Sequence, residues 1–131
     1  MIFVETSVLV AIMAREHDQH EWVARIAAAD SATTSPLVVL ECTMRLTTLF
    51  AMEPQDIETT LGNLLNELAI ETVPIEAADT TLAIGAFARY GKGRGHPARL
   101  NLADCLSYAC AKRLGAKLLD KGDDFAQTDL A

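Results

Sequence analysis

The chain has 131 residues, half of them apolar but only 5% aromatic, and a formal net charge of −7. That length favours a single domain over residues 1–131 with a hydrophobic core, built of Ala- and Leu-rich helices packed closely on a modest sheet. Cys42, Cys105 and Cys110 form no CxxC pair and are odd in number, and no apolar run approaches a membrane span or follows a charged leader-type start; a disulfide framework and a membrane partner are excluded, and a reduced, cytoplasmic setting is expected.

Ile2 to Val4 is a short apolar run without alternation, which reads as a central parallel strand. Ser7 is the expected cap of a helix through Val8, Leu9, Ile12 and Met13, and a second helix carries Trp22, Val23, Ile26 and Ala27. Residues 31–35 read as a loop or very short strand. Pro36 suits the first turn of a helix capped by Ser35, with Leu37, Leu40, Glu41, Met44 and Thr48 spaced along one face. After the break at Glu53-Pro54, Ile57, Leu61, Leu64, Leu65 and Leu68 mark the next helix, whose apolar face suits either the core or a partner.

Ile70 to Val73 alternates like a strand, and 76–90 is helical by the spacing of Ala77, Leu82, Ile84, Ala86 and Phe87. Three glycines and a proline within 91–97 exclude a regular element there. Asn101 caps a helix to about Leu114, Gly115 stops it, 116–119 makes a last strand and 120–124 a turn. Short apolar strands separated by helices define an α/β sandwich with a mainly parallel sheet.

The charge is unevenly placed. Eight of the 11 basic residues lie between Arg89 and Lys121 against two acids there, so that segment is +6 and the remainder −13. Such asymmetry suits either a phosphate-binding edge on an acidic protein or a solvated basic face.

Glu5 ends the first strand, Glu41 interrupts an apolar helix face, Asp104 lies in the first turn of its helix, and Asp123 and Asp124 follow the last strand. Ligands of open α/β sheets bind at the carboxyl ends of the strands, and carboxylates converging there suit Mg²⁺ or Mn²⁺ with a phosphodiester completing the shell. Each acid also has an ordinary reading. Glu5 suits an exposed turn, Glu41 an ion pair with Arg45 one turn on, Asp104 a capping box with Asn101, and Asp123 and Asp124 a solvated turn. The three histidines lack ligand spacing, so zinc is not expected.

Taken together, the opening MIFVETSVLVAI, the acid in SPLVVLECTMRL, the run YGKGRGHPARLNLADCLSYACAK and the ending LLDKGDDFAQTDL resemble the VapC toxins of toxin–antitoxin modules, which are PIN-domain ribonucleases. The resemblance runs the length of the chain, and its most specific part joins loop, cap, acid and aromatic in one pattern. It implies a three-layer α/β/α sandwich and metal-dependent endonuclease action on RNA. Carried over position by position, it places the site acids at Glu5, Glu41, Asp104 and Asp124, with Asp123 as the alternate. It gives Thr6, Ser7 and Asn101 supporting polar roles. Glu5 and Asp104 would hold one Mg²⁺ or Mn²⁺, directly or through water.

Arg89, Lys92, Arg94 and Arg99 are the expected contacts to RNA phosphates. The resemblance further implies a VapB-type antitoxin and a homodimer. One position departs from it: the family has Asp where this chain has Glu5. The longer side chain either weakens the enzyme, shifts it toward Mn²⁺ or is accommodated; an inert PIN-like module that binds RNA or protein without cutting is the competing reading. A phosphatase of small phosphoesters lacks the second acid that it needs two residues after Glu5.

Overall fold

In a computed structural model, which describes residues 1–131, β1 (Ile2–Val4) is flanked by β2 (Ala32–Thr34) on one side and β4 (Lys117–Leu119) on the other, with β3 (Ile70–Thr72) outside β2. All three pairings are parallel, registered through Ile2 with Ala32, Ala32 with Ile70, and Val4 with Leu119. From β1 the chain steps outward to β2 and β3, then returns across the sheet to place β4 on the far side of β1. The carboxyl end of the β1–β4 pair is therefore the point where strand order reverses, the crevice that open parallel sheets offer to ligands.

The connections are helical: α1 (Thr6–Met13) and α2 (Gln19–Ala28), α3 (Pro36–Phe50) and α4 (Pro54–Glu67), then α5 (Ala77–Tyr90) and α6 (Leu102–Leu114). The main core joins Phe3 and Val4 of β1 to Val8 and Leu9 of α1, Leu46 of α3 and Leu61 of α4, while Tyr90, Leu100, Tyr108 and Phe125 make a second cluster around α5 and α6. No helix is long and apolar enough to cross a membrane.

Most expected boundaries are found. Ser35 Oγ accepts from the Val38 N–H at 3.3 Å. Asn101 and Asp104 form a reciprocal capping box, and Gly115, at φ +66°, ends α6 in the left-handed region open to glycine. Ser7 differs: the cap is Glu5, two residues earlier, whose carbonyl accepts the first helical N–H groups, so the Ser7 hydroxyl is not a cap.

On α3 the buried stripe is Val38, Cys42 and Leu46, while Leu40 and Met44 are 55% and 63% exposed. The expected apolar face is thus the outward one. The helix is apolar nearly all round, and spacing alone did not choose the side. On α4, Ile57, Leu61 and Leu65 are core. On α5, Ala86 and Tyr90 are buried, whereas Leu82, Ile84 and Phe87 remain exposed.

α5 also buries Asp79 completely. Its carboxylate accepts from Arg113 Nε at 2.6 Å and Nη2 at 3.1 Å, and from the Glu76 N–H at 2.8 Å. The bidentate guanidinium, foremost, holds the Asp79 carboxyl below the usual range. Near the C-terminus Asp129 accepts from the Tyr108 hydroxyl at 2.7 Å and the Lys112 ammonium at 2.6 Å, which brings its carboxyl down to about 2.

Removing one partner of a buried pair strands the other charge. Arg113→Met is expected to lower stability by about 3 kcal/mol, read as a lower denaturant midpoint at unchanged slope; a change within error would show that Asp79 is satisfied without Arg113.

Candidate active site

The site begins where β1 ends. The Glu5 N–H donates to the Leu119 carbonyl at 3.0 Å, continuing the β1–β4 ladder by one residue. The backbone then turns into α1, and the Glu5 side chain is left 5% exposed at the sheet's carboxyl edge. Glu5 is therefore no surface turn residue. Its Oε1 has no hydrogen-bond partner, although a buried carboxylate ordinarily finds one.

Other elements bring acids to the same edge. From α3, Glu41 is half-buried and accepts from the Thr6 hydroxyl; it makes no ion pair with Arg45. From the first turn of α6, Asp104 Oδ2 accepts from the Asn101 N–H at 3.0 Å. Its capping role and its place in the acidic group are thus compatible, because the cap uses one carboxylate oxygen. Past β4, a methyl group on Gly122 would lie 3.7 Å from Asp120 Oδ2 and 3.8 Å from Asp124 Oδ2, so both carboxylates lean over the same glycine. Asp123 is exposed.

These acids share an electrostatic field. Burial, foremost, pushes the Glu5 carboxyl up to about 8; the Ser107 hydroxyl opposes the rise, and the charges of Asp120, Asp104 and Glu41 add to it. Burial pushes Asp104 up to about 6, with Asp124, Glu41 and Asp120 contributing in the same direction. Asp124 is raised by burial and then by Asp120, Asp123 and Glu41. Asp124 also adds to the rise at Asp104, and its Oδ2 lies beside Gly122 together with that of Asp120.

Asp120, whose charge acts on both Glu5 and Asp104, is absent from the acids expected from the sequence. It ends β4 as Glu5 ends β1, an acid directly after a short apolar strand. The same rule applied to both strands would have found it. Ser7 Oγ donates to Asp120 Oδ1 at 2.7 Å and accepts from the Lys121 N–H at 2.9 Å, which is the use made of the hydroxyl that does not cap α1.

The donors are all oxygen, as hard divalent cations require, and the orphaned Glu5 Oε1 and Asp120 Oδ2 lack any proton donor that would satisfy them. The donor chemistry fits such an ion. As the side chains lie, no three Asp, Glu, His or Cys groups are close enough together to close on an ion.

The basic segment divides. Arg113 pairs with Asp79 and Glu76, Lys112 with Asp129, and Lys121 with Glu16 and Asp18. Arg89, Lys92, Arg94 and Arg99 have no carboxylate partner and are exposed. Arg89 lies 4.6 Å over the Tyr90 ring and Arg94 5.8 Å over Phe87. The Lys92 N–H donates to the Leu100 carbonyl at 2.9 Å. That tie fixes the loop beside the start of α6, the helix that presents Asp104.

A parallel sheet with acids gathered at its switch point is the architecture of PIN-type nuclease domains, and the comparisons agree. The PIN domain profile matches residues 2–130. A VapC ribonuclease of Rhizobium meliloti (strain 1021) is 38% identical, covering 99% of both chains. Ribonuclease VapC28 of Mycobacterium tuberculosis is 36% identical over 97% of this chain and 93% of its own. The crystal structure of M. tuberculosis VapC20, described as a sarcin-ricin loop cleaving toxin, superposes with a TM-score of 0.71 at 18% identity, covering 96% of this chain and 93% of that one, a likeness of fold. This chain belongs to the PIN-domain family, among its VapC ribonucleases.

The raised carboxyls set a pH dependence. Glu5 goes from its usual 4.5 to about 8 and Asp104 from 3.8 to about 6, so over that interval the ion-free folded state binds protons that the unfolded chain has released. Their contribution to stability is full below the unfolded values and falls as pH rises through the folded ones. Asp79 and Asp129, shifted downward, act only at lower pH. The melting temperature of chelator-treated protein is expected to fall between about pH 5 and 8, and Glu5→Gln to remove most of that fall. An unchanged slope in the variant would show that Glu5 ionises freely.

Proposed function

We propose that the chain is a divalent-metal-dependent endoribonuclease that hydrolyses RNA phosphodiester bonds with Mg²⁺ or Mn²⁺ as the toxin of a VapBC-type pair. The observation that carries this reading is the buried, unpartnered Glu5 carboxylate at the β1–β4 switch point, surrounded by acids from α3, α6 and the final turn. Glu5 and Asp104 would hold the ion, directly or through water, and Glu41 and Asp124 shape the rest of the anionic pocket. When bound, the ion lowers the pKa of water and offsets charge on the phosphoryl oxygens.

The remaining work falls to the protein. Thr6 fixes the Glu41 carboxylate. Asn101, engaged in its cap, anchors the turn that presents Asp104. Arg89, Lys92, Arg94 and Arg99 hold the flanking phosphates, and their freedom from internal ion pairs supports that role. The nearly full-length similarity to proteins named as ribonucleases favours an enzyme over an inert binding module.

Protein partners follow from the same membership: a VapB-type antitoxin and a second copy of the chain. Two exposed apolar faces support them, one of Leu40, Met44 and Leu49 on α3, the other of Ile84 and Phe87 on α5 with Leu102. Contiguous apolar surface of this kind marks an interaction site.

Cleavage of an RNA substrate is expected to need Mg²⁺ or Mn²⁺ and to drop about 100-fold or more in Asp104→Asn; equal cleavage by the variant would overturn the assignment. Glu5→Asp is expected to raise the metal-dependent rate, and an unchanged or lower rate would show that the longer side chain fits its place. Neutralising Lys92 and Arg94 together should weaken RNA binding and lessen its salt dependence by about one counterion per charge removed. Unchanged affinity would remove these residues from the interface.

A further inference from the structure

We propose that Asp120, held by Ser7 at the end of β4, is a further acid of the metal site, presenting its free carboxylate oxygen to the ion beside Glu5. The inference rests on the metal-dependent reading above and adds a residue to it.

The backbone makes the placement. β1 and β4 are registered Val4 to Leu119, and the Glu5 N–H is bonded to the Leu119 carbonyl, so the two strands leave the sheet together and each next residue is an acid. The side chain is then oriented from one end. Ser7 Oγ donates to Oδ1 at 2.7 Å while accepting the Lys121 N–H, which spends the hydroxyl on both partners and fixes the carboxylate plane. Oδ2 is left buried and without a partner.

An independent observation points to the same occupant. On the adjoining strand end, Glu5 is more than nine-tenths buried and its Oε1 is equally unpartnered. Two orphaned carboxylate oxygens on adjoining strand ends are costly unless something cationic joins them. The chain supplies nothing cationic there. Lys121, the neighbour in sequence, is turned away to Glu16 at 2.5 Å and Asp18 at 3.1 Å. Asp124 Oδ2 flanks the same glycine as Asp120 Oδ2, so an ion drawn to one meets the other.

A purely structural role, in which Asp120 merely clamps α1 to the final turn, makes a different prediction. Asparagine keeps an oxygen to accept from Ser7 and removes only the charge. Mn²⁺ binding is therefore measured from the free-ion EPR signal, with no RNA present, for the full chain and for Asp120→Asn, Ser7→Ala and Asp104→Asn. Asp120→Asn is expected to weaken Mn²⁺ binding about tenfold or more and to shrink the Mn²⁺-induced rise in melting temperature, with the ion-free protein at least as stable as the parent. Ser7→Ala, which frees the carboxylate but keeps its charge, should weaken binding less.

Asp120→Ser is the second variant, should the asparagine misfold; it removes the charge with a smaller side chain. Mn²⁺ affinity unchanged in Asp120→Asn or Asp120→Ser but lost in Asp104→Asn would overturn the role of Asp120 and leave the metal site intact. A parent chain that takes up no Mn²⁺ would overturn both.

Discussion

The pairing of β1 with β4 is the constraint on which the site depends. It is made by the longest journey in the topology, since the chain builds β2 and β3 outward before α5 and α6 carry it back across the sheet. The register, Val4 against Leu119, sets Glu5 and Asp120 side by side at the carboxyl edge. Slipping β4 against β1 by one residue would turn the β4 side chains to the opposite face and take Asp120 away from Glu5. Everything else at the site is arranged around that pair: α3 lowers Glu41 onto Thr6, and α6 brings Asp104 in its first turn.

Two buried acids of this protein are treated in opposite ways. Asp79 is fully buried and completely satisfied, gripped by a bidentate guanidinium and a backbone N–H, so its charge is favoured. Glu5 is nearly as buried and is given no cation, and its carboxyl is pushed toward the protonated form. The first arrangement welds α5 to α6. The second leaves a buried acid uncompensated at a cost in stability. The same division runs through the basic residues, since Arg113, Lys112 and Lys121 are consumed by internal carboxylates while Arg89, Lys92, Arg94 and Arg99 have no carboxylate partner.

The helix faces show where sequence reasoning reached its limit. Capping chemistry was legible because it is local: Ser35 before Pro36, Asn101 three residues before Asp104, and Gly115 at the end of α6 are all used as their residue types suggest. The inward side of α3 was not, because a helix apolar nearly all round offers several stripes and only the partners decide among them. Val38, Cys42 and Leu46 won that contest, and Leu40 and Met44 were left outside. Ser7 was misassigned as a cap for a related reason. The turn out of β1 is tight enough that the Glu5 carbonyl opens the helix, and a residue 113 positions away then claims the hydroxyl.

The sequence by itself determined the element order, the parallel α/β class and the local caps at Ser35, Asn101 and Gly115; the set Glu5, Glu41, Asp104 and Asp124, with Asp123 as the alternate, came from the family resemblance, and strand ends and helix starts account for all of it but Glu41. It could equally have named Asp120, which obeys the same rule as Glu5. Only the tertiary structure decided that these acids share one field, which of them is deprived of a partner, and which cations are already spent. Proximity across the switch point, burial and the competition for counter-charges are properties of distances between remote residues, and no local pattern encodes them.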